Sequence, residues 1–467
     1  MTSALIAELR AAFDDRCVTA ESTRVEHAID VSRHAPGLPD AVVYPVTTEE
    51  VSRIVAGCNR HGVPVVPFGT GTAVEGGVVA VRGGVCIDLT RMNQIVRVSA
   101  VDMDATVQAG VTRYQLNDHL AALHESDRSA PELHFPIDPG ADASLGGMAA
   151  TCASGSAAVR YGTMRGSMLG LTVVLADGKV VKTGGRARKS SAGYHLTGLF
   201  VGSEGTLGVI TELTLRLQRV PEAIASAVCP FGDVDSAIAA AIEVLTAGIP
   251  VARMEFLDEV LIAAVNEYSG LRNEVTPTLF FEFHGTEDFV AECSRRTGEI
   301  TSKRGGGEFR WATDRPERDR LWQARYDSYY ACLALRPNSV GYVTDVCVPI
   351  SNLAECLRRA KRYAAESRLP APVFGHVGDG NFHVVIVIDK DSEDDLAEAQ
   401  QIGRRIVDDA LELDGTCTGE HGIGLGKRDI LRQECGDAVD VMRQIKAALD
   451  PMNIMNPGKV LPDSPAM

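Results

Sequence analysis

Residues 376–388 read HVGDGNFHVVIVI, and within them Asp379-Gly380 is a dipeptide that favours a two-residue hairpin turn between the β-rich runs VFGHV and FHVVIVI. With that turn, Gly378 faces Asn381, Val377 faces Phe382 and His376 faces His383. Directly opposed residues share a face with Cβ atoms about 4.5–5.5 Å apart. Two imidazoles at that separation can reach one ion at about 2.0–2.1 Å each. A third ligand must come from elsewhere. GTCTGEHG at 415–422 offers Glu420 and His421 between glycines that permit an unusual approach. Two nitrogens and one carboxylate leave coordination positions open, which suits a catalytic metal better than a structural one. Zinc fits the set best, with manganese and iron as the other candidates. The competing reading is a cross-strand histidine pair that fills space beside a solvated EHG loop, and the hairpin alone does not decide between the two.

A second group of residues is built for anions. PFGTGTAVEGG at 67–77 leaves a strand and turns at Gly69 and Gly71, where bare backbone N–H groups can converge on a pyrophosphate while Thr70 and Thr72 add hydroxyls. The competing reading is a tight surface turn. G-x-G-x-x-G fails because Val74 stands where the third glycine belongs, so this is not a Rossmann fingerprint. GIGLGKR at 422–428 is not a P-loop either, because Arg428 replaces the hydroxyl that would meet magnesium. Further glycine loops follow at 138–156, 161–167 and 202–211. Repeated close approach of bare backbone implies a long, folded ligand rather than one phosphate.

These loops need elements to hold them, and the 467 residues exceed one ordinary core, so at least two domains are expected. Residues 41–110 alternate short strand segments (DAVVYP, VPVVPFG, GGVCIDL, NQIVRVS, DATVQAG) with one helix over 47–61. From about 220 to 412 long amphipathic helices alternate with strands; RPERDRLWQARYDSYYACLA reads as one such helix. The last fifty residues hold a glycine-rich loop, one helix and the closing NPGKVL. The spacing predicts an α+β fold: a loop-rich N-terminal domain over 1–218, an α+β insertion with an antiparallel sheet over 219–415, and a segment, 416–467, that returns to the first domain.

The formal charge of −16 opposes nucleic acid, whose binding rests on phosphate neutralisation, and obliges any site for a small anion to carry its own cations. Eleven dispersed cysteines without a C-x-x-C pair give no iron–sulfur or thiolate-zinc site and fit a reducing compartment. MTSALIAELRAAFDDR is an acid-bearing amphipathic helix rather than a signal or transit peptide, and VVIVI at 384–388 is too short to span a bilayer. A soluble cytoplasmic protein, peripheral to a respiratory membrane if attached at all, is expected; oligomeric state is silent.

PFGTGT, DPGADASLGG, RYGTMRG and GSEGTLGVIT stand in the order and spacing of the vanillyl-alcohol-oxidase (PCMH) type FAD-binding domain. LWQARYDSYYA, GYVTDVCVP, HVGDGNFH, GTCTGEHGIGLGK and LDPMNIMNPGKVL resemble the FAD-linked D-lactate dehydrogenases of the cytochrome type, so the likeness covers nearly the whole chain. It implies a two-subdomain FAD-binding domain with an α+β cap. It further implies cofactor contacts at Pro67, Gly69, Thr70, Gly71, Thr72 and Gly76; at Pro139, Gly140, Ala141, Asp142, Ser144, Gly146 and Gly147; at Gly155, Gly162, Glu204, Gly208 and Ile210; and at Asn456. Some members of the superfamily carry FAD on a histidine of the first glycine loop; GTGTAVEGG has none, so non-covalent FAD is expected. The same resemblance favours the metal reading of His376, His383 and Glu420.

Oxidising a 2-hydroxy acid removes a proton from oxygen and a hydride from carbon. A metal chelated by the substrate's hydroxyl and carboxylate acidifies the hydroxyl, much as bound water can move from 15.7 to about 7. His421 is the candidate base, its intrinsic pKa near 6.5 suiting neutral pH; an exchange of roles with Glu420 stays open. Flavin takes the hydride. By resemblance Arg325 clamps the substrate carboxylate, bidentate as a guanidinium can be. Related D-2-hydroxyglutarate dehydrogenases carry a lysine for the distal carboxylate where this chain has Val343, which favours lactate or another apolar D-2-hydroxy acid over a dicarboxylate. A D-2-hydroxyglutarate or glycolate dehydrogenase, a non-redox flavin enzyme of the alkyl-ether lipid synthase type and a metal-dependent hydrolase are the alternatives. Cytochrome c, a quinone or an electron-transfer flavoprotein could accept the electrons.

Overall fold

The structure is a computed structural model that describes residues 2–463. The chain divides into two compact units. The first contains the residues up to Gly155, Gly162–Val220 and the chain from Glu420 onward; the second contains Ser156–Tyr161 and Pro221–Gly419.

Two sheets build the first unit. Cys17–Val18, Ala41–Val43, Val85–Asp88 and Val65–Phe68 form a four-stranded sheet in that order, parallel except for its first strand. The parallel connection is the helix Thr48–His61. Thr47 caps it by accepting from Glu50 N at 3.2 Å, and its Val51, Ile54, Val55 and Cys58 face is buried. Ile95–Ser99, Asp104–Gln108, Val209–Arg216, Met168–Val174 and Val180–Gly184 form an antiparallel five-stranded sheet. Leu5, Ile54, Ile87, Val107, Leu213 and Ile454 belong to one apolar core, so the N-terminal helix, both sheets and the C-terminal segment are stabilised together. The returning segment extends the smaller sheet: Val65 N donates to Ile454 O at 2.8 Å and Asn456 N to Val65 O at 2.7 Å.

The second unit is an eight-stranded sheet, antiparallel throughout, with long helices. Its centre places Val251–Leu257 beside Val373–Gly375, which in turn pairs with Asn381–Asp389. The α+β expectation therefore holds. Three local readings are corrected. RPERDRLWQARYDSYYACLA is two helices, Arg315–Tyr326 and Ser328–Ala334, divided at Asp327, whose carboxylate accepts from Gln323 Nε2 at 2.8 Å and from Ser269 Oγ. The C-terminal helix is also two, Arg428–Cys435 and Ala438–Leu449, separated by Gly436 at φ +52°. Finally, Ser156–Tyr161 leaves the first unit for the second, where Tyr161 Oη lies 2.7 Å from His284 Nδ1 and Arg160 donates to Pro250 O at 3.1 Å.

Candidate active site

The hairpin that carries the two histidines differs from the two-residue turn. Phe374 pairs with His383 and Val373 with Val384, so residues 376–380 form a longer connection and the register is displaced by two residues. Asp379 N and Asn381 N both donate to His376 O, at 2.9 and 3.3 Å, closing the loop. Gly380 takes φ +81°, and a Cβ there would lie 2.1 Å from Val348 O. A displacement of two leaves each side chain on its original face, whereas a displacement of one would have reversed them. His376 and His383 therefore still meet: their ring centroids lie 5.5 Å apart at 85°, and both residues are buried.

Each ring is oriented through Nδ1. His376 Nδ1 lies 2.6 Å from Glu255 Oε1, and His383 Nδ1 lies 3.1 Å from Thr344 O. A carboxylate and a carbonyl can only accept, so both Nδ1 atoms carry hydrogen, and in the neutral ring Nε2 is the nitrogen able to ligate a cation. Glu255 is fully buried, and its other oxygen accepts from Arg325 Nε at 2.7 Å. Burial pushes this carboxyl up, but attraction and hydrogen bonding from His376 and Arg325 outweigh burial and hold it at about 2. Arg325 also lies over the Phe374 ring, 5.3 Å from its centroid. Arg325, read from resemblance alone, is thus brought to the same carboxylate as His376.

The sequence reading did not single out Glu255. Its signal is an acid inside the apolar run MEFL, which implies a buried and partnered charge without naming the partner. Asp345 was missed too. It accepts from Asn381 Nδ2 and Thr418 Oγ1, each at 2.8 Å, and lies 3.8 Å from His383 Nδ1.

Chain continuity restricts Glu420. Gly419 approaches Asn381 so closely that a Cβ would sit 2.3 Å from its Nδ2. Glu420 follows by one peptide unit, about 3.8 Å between Cα atoms. In the first unit its Oε2 accepts from Ser154 Oγ at 2.9 Å and its Oε1 lies 3.8 Å from His421 Nε2.

The glycine loops gather in the first unit. Gly69 lies against Ser144, where a Cβ would meet Oγ at 2.3 Å, and Ser144 N donates to Thr70 Oγ1 at 3.4 Å, tying the 67–72 loop to the 139–147 loop. Pro67, Gly71 and Thr72 belong to the first of these loops and are half-buried; Pro139 and Ala141 belong to the second, whose Asp142 is exposed and accepts from Tyr114 N at 3.3 Å. Around Gly140 and Gly162 no atom lies within 4 Å of an added Cβ, which leaves backbone facing open space as a bound ligand requires. Other glycines expected at the cofactor are closely packed on one side. Gly76 lies against His34 and Leu425, Gly146 and Gly147 pack in the short helix after Ser144, and Gly155 presses on Asp138. Gly208 packs on Val173, and Ile210 pairs with Val173 inside the core. Glu204 turns its carboxylate to Ile423 N and Gly424 N at 2.8 and 2.9 Å, while Asn456 Nδ2 donates to Glu204 O at 2.7 Å. Those two side chains hold loops together.

Known proteins align along this framework. Residues 220–460 match the family described as FAD linked oxidases, C-terminal domain, and residues 39–184 match the FAD binding domain. A Danio rerio protein named Probable D-lactate dehydrogenase, mitochondrial, is 51% identical over 96% of this chain and 89% of its own length. The Arabidopsis thaliana D-lactate dehydrogenase [cytochrome], mitochondrial, is 45% identical over 98% and 80% respectively. Substrate-bound p-cresol methylhydroxylase superposes with a TM-score of 0.78 over 98% of this chain and 96% of that one, at 20% identity, a likeness of fold. Among the described residues, no helix is long and apolar enough to cross a membrane.

Proposed function

The chain belongs to the FAD-linked oxidases and is an FAD-dependent oxidoreductase, and from that premise we propose that it oxidises D-lactate, or a similarly apolar D-2-hydroxy acid, to the 2-oxo acid with the help of a divalent metal. Its architecture is the two-subdomain PCMH-type FAD-binding domain with an α+β cap. The observation that carries the proposal is the buried histidine pair whose Nδ1 atoms are both committed to acceptors. FAD, non-covalent because GTGTAVEGG lacks histidine, supplies the hydride acceptor, and the metal, zinc before manganese or iron, supplies Lewis acidity at the substrate hydroxyl.

The residues then divide the work. His376, His383 and Glu420 would hold the cation, which would supply Lewis acidity toward the substrate hydroxyl. Arg325 binds the substrate carboxylate through its Nη atoms, since Nε is committed to Glu255. His421 takes the hydroxyl proton at an imidazole nitrogen. Val343, half-buried against the cluster containing Phe374 and Val385, offers a second carboxylate no cation. Electrons leave for a haem protein, and the net charge of −16 steers a cationic acceptor. Its proposed site of action is the cytoplasm, and any attachment to a respiratory membrane is peripheral.

The test is anaerobic flavin bleaching by D-lactate, L-lactate and D-2-hydroxyglutarate. Rapid bleaching by D-lactate alone is expected. Yellow flavin that stays oxidised with all three would overturn the substrate assignment.

A further inference from the structure

We propose that Glu255 is a positioning residue that couples the metal ligand His376 to the substrate-binding Arg325, so that the metal and the guanidinium grip one substrate in a fixed relation. The inference rests on the function proposed above and deepens it. Register supplies the starting point. Phe256 pairs with Gly375 and Leu257 with Phe374, so extending this antiparallel ladder by one residue sets Glu255 opposite His376 on a shared face. Helix Arg315–Tyr326 brings Arg325 to the same place. One oxygen of Glu255 then accepts from His376 Nδ1 at 2.6 Å and the other from Arg325 Nε at 2.7 Å.

The chemistry of the bridge is specific. A carboxylate at Nδ1 fixes the tautomer whose proton sits on Nδ1 and increases the basicity of Nε2 toward a metal. The same anion holds the guanidinium by its side edge. The Nη end makes no hydrogen bond among the described residues and keeps two parallel donors for a planar carboxylate. No side chain other than Glu or Asp can accept from both partners at once while offsetting the positive charge beside it. Gln would turn one N–H toward a donor, leaving a buried clash of hydrogens. A purely structural ion pair between Arg325 and Glu255 would have no reason to include a histidine ring nitrogen.

The experiment uses the full chain with its flavin. Wild type and Glu255→Gln are stripped of metal with a chelator. Zinc affinity is then measured by competition with a chromogenic chelator, and KM for D-lactate is measured after reloading. The variant should keep its flavin spectrum, lose zinc affinity 10–100-fold, the range seen when a ligand's supporting partner is removed, and raise KM for D-lactate at least tenfold. Arg325→Lys should raise KM while leaving zinc affinity at the wild-type value, separating the two halves of the bridge. If Glu255→Gln does not fold, Glu255→Asp replaces it; with its shorter arm it should keep one partner and lose the property that depends on the other. Zinc affinity and KM both unchanged in a folded variant would overturn the positioning role alone. Wild-type protein that binds no zinc, manganese or iron would instead overturn the metal reading, and the His376 half of the inference with it.

Discussion

Glu204 Oε1 accepts a hydrogen bond from Ile423 N at 2.8 Å, joining the GSEGTLG loop to the GIGLG loop 219 residues further along the chain. The side chain is almost inaccessible and the backbone of Glu204 sits at φ +49°, a conformation other residues rarely adopt without support. The first unit of the protein is closed at this point by one carboxyl group.

That carboxyl has a pH signature. Burial pushes it up to about 7, against the two amide donors at Ile423 and Gly424, with Glu75 adding repulsion and Lys427 opposing it. The folded value lies above the unfolded value near 4.5, so protonation favours the folded state. Its contribution is complete below about 4.5 and is lost as pH rises through about 7. On the order of 3 kcal/mol is involved, at 1.36 kcal/mol per unit. In urea unfolding followed by flavin release, the stability of wild type relative to Glu204→Gln should fall between pH 5 and pH 8. A difference that stays level across that range would show that Glu204 is not the titrating group.

Much of this arrangement is legible in the sequence, and the failures have physical causes. Periodicity finds the helix Thr48–His61 because its buried face repeats without interruption. Asp379-Gly380 correctly signals a reversal but misstates its register, because Gly380 packs against Val348 O and the turn is held by two bonds to His376 O, both set by tertiary structure. His376 and His383 survived the error because a two-residue displacement preserves the face. Asp327 divides a helix whose pattern reads as continuous because its carboxylate serves Ser269, 58 residues away. Glu255 was illegible for a related reason: both its partners are distant in sequence, and no local pattern announces a carboxylate that serves two of them.

His383 separates metal from flavin. His383→Ala removes a nitrogen buried between Phe374 and His376, at ring-centroid distances of 5.9 and 5.5 Å, without touching the glycine loops. The variant should lose bound metal and at least a hundredfold in turnover while remaining yellow. Metal analysis beside the flavin spectrum checks this, and full activity with no metal would refute the role.

Val343 is the lever on substrate size. It ends the strand Ser339–Val343 opposite Val385 and packs against an apolar cluster. Val343→Lys adds a cation at a position that now holds an aliphatic side chain, so the ratio of kcat/KM for D-2-hydroxyglutarate to that for D-lactate should rise at least tenfold. Part of the gain is set against the cost of a half-buried ammonium, which should appear as a lower thermal midpoint. An unchanged ratio in a folded variant would remove Val343 from the specificity argument.

Gly69 tests whether the cofactor loops depend on their close packing against each other. An added methyl would meet Ser144 Oγ at 2.3 Å but Ser144 Cβ at 3.4 Å, so the obstacle is one hydroxyl. Gly69→Ala should therefore weaken FAD retention and lower stability by about 1–3 kcal/mol, the usual cost of overpacking. Adding Ser144→Ala deletes the hydroxyl and should restore most of the FAD affinity. A residual loss of about 1 kcal/mol should remain, because Ser144 also caps the helix Leu145–Thr151 through Gly147 N at 3.3 Å. Flavin dissociation measured for the two single variants and the double variant decides the matter. Strict additivity, with no rescue, would mean that something other than the Ser144 hydroxyl obstructs a methyl at Gly69 and that the approach of the two loops is incidental.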